Sequence, residues 1–376
     1  MTVISAVYYN IDVSKHIYEP LKKELAMPYE TEVGMDIHKM YSMFGVVKCD
    51  GNVVSYDKVS NDTRLFDRFF SRFAEGTFRV TLEATRGISW VIDYFDRKNI
   101  PYIVSNPFLN RAIANVHCKN DKYDARTLAD LARSNYIARC YVPTKPIREL
   151  RDLIAHRAKL VVITTKLKNK VHDVLAKYNY VQPISDIFGV SGIQWVRNQK
   201  LSDMHKQILE ETLALIGAFL PRTMALEKTI KEKVHEHRYF RLLQTVPGIG
   251  PINAATIIAR VEDINRFPNV TKFIRYAGLS VNTRESAEKM YLGKLNKKSD
   301  KFLRTAFVDA EIAAVQKDPG LSMFYQYLLA RKGKGIARVA VARKLARSVY
   351  FMLRKSQPYH YRQLQNIWSN TTADKG

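Results

Sequence analysis

The stretch over residues 33–131 alternates short apolar runs with amphipathic segments, and this restricts the fold more than any other feature of the chain. Three strand-like runs come first, and the Asp-Gly pair at residues 50–51 separates the second from the third, which is typical of a β-hairpin. Helical and strand-like patterns then alternate over residues 62–105. A strand meander followed by alternating helices and strands predicts a mixed α/β sheet with helices packed on it.

Four carboxylates occupy positions at which this fold can bring them together. Asp121 and Asp124 lie three residues apart at the start of a predicted helix, so both project from one face of its first turn. An isolated pair of this kind is more often a solvated helix start, because Asp is favoured there. Asp36 lies in the first predicted strand and Glu83 near the end of a later one. If those strands are neighbours, the four side chains converge, and hard divalent ions such as Mg²⁺ take oxygen ligands of this type.

The order of strand Asp, strand Glu and helix Asp-x-x-Asp resembles the core of ribonuclease-H-like nucleases. In that core, four carboxylates hold two Mg²⁺ ions about 4 Å apart and promote phosphoryl transfer. The resemblance implies metal-ligand roles for Asp36, Glu83, Asp121 and Asp124.

Charge indicates the partner class. Lys and Arg total 60 against 36 Asp and Glu, which gives a formal net charge of +24 and predicts nucleic-acid binding. No apolar run approaches the ~18 residues that a membrane span needs, so no membrane partner is expected. The cysteines at positions 49, 118 and 140 form no C-x-x-C pair, which argues against a zinc site and favours a cytoplasmic location.

Two long segments follow, over residues 143–180 and 201–237, with apolar residues at helical spacing. They predict a helical hairpin or coiled-coil arm, with residues 181–200 as its tip. Such an arm serves as a dimerisation stalk or as a basic rail for nucleic acid, and the two roles are compatible.

Three features of the remaining chain indicate contact with a nucleic-acid backbone. Residues 240–261 place Gly248 and Gly250 between two apolar helices, as in a helix-hairpin-helix that approaches a phosphate; a plain helix turn is the alternative. The sequence predicts an exposed polar loop over Asn282–Glu288, followed by a basic turn. The candidate contacts in that turn are Lys294, Lys297, Lys298 and Arg304. A basic helix over residues 331–355 is either a solvated charged face or a further contact.

Taken in order, the motifs GMDIHK, LEAT, KNDKYDARTLA, VPGIG, YAGL and LGKLNKKSDKFLR resemble the DEDD-type insertion-sequence transposases. These form the "one-ten" insertion-sequence family with the Piv-type DNA invertases, and many are guided by a bridge RNA. The resemblance covers residues 33–356. It implies a RuvC-like domain (RNase H fold) that carries the acidic tetrad, and a mainly α-helical transposase domain that carries a serine.

The resemblance places this serine between a Gly-Leu and a Leu-Gly signature. Aligning residues 278–279 and 292–293 with those signatures selects Ser286, with Ser280 as the alternative. In the family the serine usually precedes two glycines, whereas this chain has Ala287 and Glu288 there. The implied reaction is attack of the serine hydroxyl on a DNA phosphate, assisted by two Mg²⁺ ions, followed by strand exchange and religation.

The implied partners are donor and target DNA, a guide RNA, and further copies of the chain in a dimer or tetramer. The expected domains are an N-terminal extension (1–32), the RuvC-like domain (33–142), the arm (143–237), the transposase domain (238–357) and a tail (358–376). Two other readings stay open. One is a nuclease or junction resolvase that hydrolyses DNA with water, and the other is a nucleic-acid-binding scaffold that has lost catalysis.

Overall fold

The computed structural model describes residues 29–85, 87–113, 120–286, 289–295 and 299–361. Lys297, Lys298, the residues Ala287 and Glu288, and most of the predicted N-terminal extension and tail lie outside these ranges. Within the described ranges, no helix is both long enough and apolar enough to cross a membrane.

A five-stranded mixed sheet organises the first part of the chain. Its strands are β1 (Thr31–Ile37), β2 (Tyr41–Lys48), β3 (Val53–Ser60), β4 (Phe78–Glu83) and β5 (Tyr102–Ser105). They lie in the order β3-β2-β1-β4-β5. The β1–β2 and β2–β3 pairs are antiparallel, whereas β1–β4 and β4–β5 are parallel. The predicted mixed sheet is confirmed, and so is the hairpin at residues 50–51, where Gly51 has a φ of +93°.

Helices cover both faces of this sheet. They are α1 (Thr63–Phe70), α2 (Ser89–Lys98) and α4 (Asp121–Arg133), and a shorter helix, α3 (Pro107–Ile113), follows β5. Helices α1 and α2 pack on one face, where Phe66 and Phe95 join Val33, Met35 and Leu82 in a buried core. Helix α4 packs against β1, β2 and β4 on the opposite face.

Two glycines determine how closely α4 approaches the sheet. Gly34 of β1 pairs with Gly45 of β2, so the two lie side by side beneath the helix. A Cβ atom on Gly34 would lie 1.7 Å from the carbonyl oxygen of Ala125, and one on Gly45 would lie 2.9 Å from the amide nitrogen of Arg126. The backbone of α4 therefore rests directly on the two strands, and this contact positions the acidic first turn of the helix.

The predicted long helices are present as α5 (Lys145–Ala176) and α7 (Asp203–Val234), and they pack against each other. An ion pair between Arg157 and Glu227 links them along their length. The tip contains a short helix, α6 (Val190–Arg197), which closes a small separate core with both long helices. The two long helices that the sequence predicts are therefore present and packed together.

The remaining chain is mainly helical, and its core also includes buried residues of α5 and α7. Its helices are α8 (Phe240–Gln244), α9 (Pro251–Val261), α10 (Val270–Tyr276), α11 (Lys301–Lys317), α12 (Pro319–Lys332) and α13 (Lys334–Lys355). A two-stranded antiparallel ribbon, β6 (Val281–Ser286) and β7 (Lys289–Leu295), lies between α10 and α11. The prediction of a polar loop over Asn282–Glu288 is therefore wrong up to Ser286, because these polar residues form a strand paired to β7.

The two glycines between α8 and α9 have different surroundings. Gly248 has a φ of +85°, and a Cβ atom there would lie 2.2 Å from the carbonyl oxygen of Ala310 in α11. Its lack of a side chain is thus needed for packing inside this region. Gly250 is exposed and precedes the first residue of α9, and a Cβ atom there would meet nothing within 4 Å. Of the two, Gly250 leaves the backbone open to a ligand.

A set of polar contacts joins the sheet region to the helical region. The hydroxyl of Tyr141 donates to Oε2 of Glu262 at 2.7 Å, and the hydroxyl of Thr144 donates to Oε1 at 2.6 Å. Asp93 of α2 pairs with Lys145 and Arg148 at the start of α5. The beginning of the arm is therefore bonded to both neighbouring regions, which holds them in one arrangement.

Candidate active site

The ends of β1 and β4 place two carboxylates at one edge of the sheet. In the parallel β1–β4 pair, Gly34 lies beside Thr81 and Met35 beside Leu82. Extending this register by one residue along both strands brings Asp36 opposite Glu83. Side chains alternate between the two faces of a strand. Because Gly34 faces α4, Asp36 and Glu83 lie on the side of the sheet that carries this helix.

The first turn of α4 supplies the other two carboxylates. The side chain of Asn120 accepts a hydrogen bond from the amide of Lys122 at 3.1 Å and thereby caps the helix. The helix consequently begins at Asp121, with Asp124 in the same turn. The buried face of α4, which begins with Ala125, packs on the sheet and holds this turn over the strand ends.

Three side chains meet where the helix crosses the end of β1. Nε2 of His38 lies 2.9 Å from Oδ2 of Asp36 and 3.2 Å from Oδ2 of Asp121. The hydroxyl of Tyr41 donates to the same oxygen of Asp121 at 2.9 Å. One potential ligand atom from each of Asp36, His38 and Asp121 lies within 4.8 Å of the other two. This spacing fits a single cation held by all three residues.

Burial and like charges act against ionisation of Asp36. Burial raises the pKa of the Asp36 carboxyl above its usual value; His38 opposes this, while Asp124 and Asp121 add to it. Asp124 is thus close enough to Asp36 to act on its charge. A bound cation would relieve this repulsion, and carboxylate oxygens are the ligands that Mg²⁺ and Mn²⁺ prefer, so the residues present fit a divalent ion.

Comparison with known protein families identifies the family to which the chain belongs. Residues 33–180 match a model of DEDD transposases named after the insertion sequence IS110. Residues 240–326 match a second model, described as the transposase IS116/IS110/IS902 family. The chain belongs to the DEDD-type IS110 family of transposases. The two matches together cover more than half of the chain, and they include the four carboxylates, both turn glycines and Ser286.

Relatives of this IS110-family transposase carry corresponding names. It is 25% identical to a probable family 20 transposase of Pseudomonas aeruginosa, over 64% of this chain and 74% of that protein. It is 23% identical to the transposase for insertion sequence element IS1111A of Coxiella burnetii, over 69% of this chain and 70% of that protein. A protein of insertion element IS116 from Streptomyces clavuligerus is 22% identical, over 86% of this chain and 94% of its own length.

The predicted site residues of this IS110-family transposase fall in two regions of the fold. Asp36, Glu83, Asp121 and Asp124 lie at one edge of the sheet, and the first and third of these meet directly at His38. The remaining predicted residues that fall within the described ranges lie in the second, mainly helical region. Ser286 ends β6 and pairs with Lys289, Lys294 lies in β7, and Arg304 lies in α11 beside the turn at Gly278.

The sequence-based prediction of the site does not include His38 and Tyr41, which the structure places beside Asp36 and Asp121. The rings of His38 and Tyr41 stack with their centroids 4.7 Å apart, and Nζ of Lys58 lies 4.0 Å from the centroid of Tyr41. His38 stands two residues after Asp36 in GMDIHK. This two-residue spacing at the end of a strand indicates that His38 and Asp36 lie on the same side, because residues two apart share one face of an extended chain.

Proposed function

We propose that this IS110-family transposase cuts and rejoins DNA at the site formed by Asp36, Glu83, Asp121 and Asp124, with Ser286 as the attacking nucleophile. The observation that carries the proposal is the meeting of Asp36 and Asp121. These carboxylates come from a strand and a helix separated by more than eighty residues, and both approach Nε2 of His38. Carboxylates placed together in this way repel unless a cation lies between them. The four carboxylates would hold two Mg²⁺ ions.

The fold supports a RuvC-like assignment for the first region. The sheet has the strand order β3-β2-β1-β4-β5, with carboxylates where β1 and β4 end. A further pair of carboxylates lies on the helix packed across these strands. This is the arrangement proposed for an RNase-H-like core. Between α8 and α9, the exposed Gly250 and the start of α9 support backbone contact of the helix-hairpin-helix kind.

The proposed reaction exchanges phosphodiester bonds without net hydrolysis. When bound, the divalent ions would stabilise the negative charge that develops on the phosphate. The hydroxyl oxygen of Ser286 attacks phosphorus, and its proton passes to solvent. The bond from phosphorus to the 3′ oxygen breaks, and this oxygen takes up a proton to become a free 3′-hydroxyl. Attack of another 3′-hydroxyl on the phosphoserine ester then rejoins the strand and releases the serine.

Ser286→Ala tests the nucleophile. Wild-type protein incubated with Mg²⁺ and end-labelled DNA is expected to form a covalent protein–DNA adduct that survives denaturation, and Ser286→Ala is expected to form none, because the methyl group has no oxygen to attack with. The adduct is measured as labelled DNA that migrates with the protein on a denaturing gel. Ser280→Ala, a matched change one strand-length away, should form the adduct at the wild-type level.

Two results would contradict this assignment. An adduct formed by Ser286→Ala would show that another residue attacks. DNA cleavage by the wild type without any adduct would favour hydrolysis by water instead.

The basic face of α13 supports DNA or RNA contact in the same protein. From residue 319 to residue 355 the chain contains no Asp or Glu and nine basic residues. These are Arg331, Lys332, Lys334, Arg338, Arg343, Lys344, Arg347, Arg354 and Lys355. Arg338 is engaged by Glu311 of α11, whereas Arg343 and Arg347 are exposed one turn apart, opposite the buried Leu345 and Val349. Phosphate contact by this face is therefore proposed.

Salt dependence measures that contact. The double change of Arg343→Gln with Arg347→Gln should lower the slope of log affinity against log salt concentration by roughly 2, since each phosphate contact contributes about 0.9. Affinity should fall equally for unrelated DNA sequences. The same double change at Arg64 and Arg68, exposed on α1, should leave the slope unchanged. An unaltered slope in the α13 variant would show that Arg343 and Arg347 face solvent and do not contact nucleic acid.

A guide RNA and a multimeric assembly complete the proposal. In this proposal, a guide RNA paired to donor and target DNA would supply the recognition of base sequence. In the proposed dimer or tetramer, the serine of one copy completes the acidic site of another. Sequencing the RNA that copurifies with the protein tests the first point; one discrete species supports guidance, and random cellular RNA contradicts it.

A further inference from the structure

The imidazole of His38 is held in a fixed orientation inside the acidic cluster. Its ring stacks on Tyr41, and its main-chain amide donates to the carbonyl of Tyr41 at 2.9 Å. The ring is partly exposed, but its Nε2 atom is inaccessible to solvent. Two carboxylate oxygens, one from Asp36 and one from Asp121, lie within 3.2 Å of Nε2. The fold thus directs a nitrogen lone pair or an N–H bond between two carboxylates.

The distances around Nε2 are those between ligand atoms of one metal ion. In an octahedral site with bonds of about 2.1 Å, adjacent ligand atoms lie about 3.0 Å apart. Nε2 lies 2.9 Å from Oδ2 of Asp36 and 3.2 Å from Oδ2 of Asp121. Nε2 therefore lies at the spacing of an adjacent ligand from each carboxylate oxygen, and the three potential ligand atoms lie within 4.8 Å of one another.

We propose that His38 is a ligand, through Nε2, of one of the divalent ions that Asp36 and Asp121 hold, an inference that rests on the proposed metal-dependent function. The four-carboxylate set alone offers only oxygen donors, which favour Mg²⁺. A histidine nitrogen adds a softer donor, and affinity at sites with nitrogen donors rises toward the later transition metals. The two ion positions then differ in chemistry, and the one at His38 binds Mn²⁺ in preference to Mg²⁺.

Electron paramagnetic resonance of full-length protein loaded with Mn²⁺ alone tests the proposal. Electron spin-echo modulation detects a ¹⁴N nucleus bonded directly to Mn²⁺, whereas oxygen ligands give no such signal. The wild type is expected to show the ¹⁴N coupling. His38→Ala is expected to lose it and to bind Mn²⁺ at least about tenfold more weakly, with a smaller change for Mg²⁺. Tyr41→Phe keeps the stacked ring and should retain the coupling.

Asp36→Asn separates failure of this inference from failure of the proposed function. One pair of results would keep the metal site and reject His38 as a ligand. In the first, the wild type binds Mn²⁺ and Asp36→Asn weakens that binding. In the second, the ¹⁴N coupling is either absent from the wild type or still present in His38→Ala. If the wild type binds no Mn²⁺ at all, both the inference and the proposed metal site are overturned.

Discussion

Asp36→Asn is expected to reduce DNA cleavage and strand exchange by more than about a hundredfold. Mutation of residues that only hydrogen-bond to metal ligands already lowers metal affinity or activity about 10–100-fold, and loss of a direct ligand should lower it further. The amide keeps the shape of the carboxylate but removes the charge that faces His38 and Asp121. Asp36→Asn should fold with a stability close to that of the wild type. Burial and the neighbouring carboxylates raise the pKa of Asp36, so the charged form is disfavoured in the native state and a neutral side chain is tolerated there.

The rate of product formation on labelled DNA measures this loss, with thermal unfolding as a check on the fold. Asp130→Asn is the matched control on the same helix, since Asp130 pairs with Arg126 and Arg133 and lies away from the first turn. It should keep the wild-type rate. If Asp36→Asn retained more than about a tenth of that rate, Asp36 would not be a metal ligand of the reaction.

Gly34→Ala is expected to lower the free energy of unfolding by about 3 kcal/mol or more, at or beyond the upper end of the usual cost of overpacking. The new methyl carbon would lie 1.7 Å from the carbonyl oxygen of Ala125, and both sides of this contact are backbone. Relief requires α4 to move away from β1, and Asp121 would move with it. Chemical denaturation measures the loss, and Mn²⁺ affinity should fall in parallel if the variant folds.

Gly217→Ala is the control for that change. Gly217 is exposed within α7, and a Cβ atom there would meet nothing within 4 Å. The change should raise stability by up to about 1 kcal/mol, because Ala has the higher helix propensity. Equal stability of Gly34→Ala and the wild type would mean that α4 does not rest on β1 as described.

Local sequence signals predicted the sheet and the start of α4. Apolar runs and the Asp-Gly turn identify strands from residues close together in the chain. The sequence allowed β1 and β4 to be neighbours without requiring it, and the structure pairs them in parallel. Helix α4 begins at Asp121 because Asn120 caps it, so both carboxylates occupy the first turn as predicted. These features depend on near neighbours and on the small number of ways in which such elements pack.

Features that depend on distant contacts were not predicted. Residues 281–286 are mostly polar and lack an apolar alternation, so the pattern indicated a loop, whereas pairing with β7 makes them a strand. The close packing of Gly248 on Ala310, which is 62 residues away, is a contact that the sequence does not predict. His38 joins the site only because α4 brings Asp121 back to the end of β1.

We propose that this chain exchanges DNA strands at a metal site and does not hydrolyse them. The decisive measurement is the identity of the DNA products formed by the purified protein, with its copurified RNA, when Mg²⁺ and DNA carrying the element ends are supplied. Strands joined in a new order, absent with EDTA and in Asp36→Asn, are the predicted result. Cut strands with free 5′-phosphate ends and no rejoined product, or no Mg²⁺-dependent product of any kind, would contradict it.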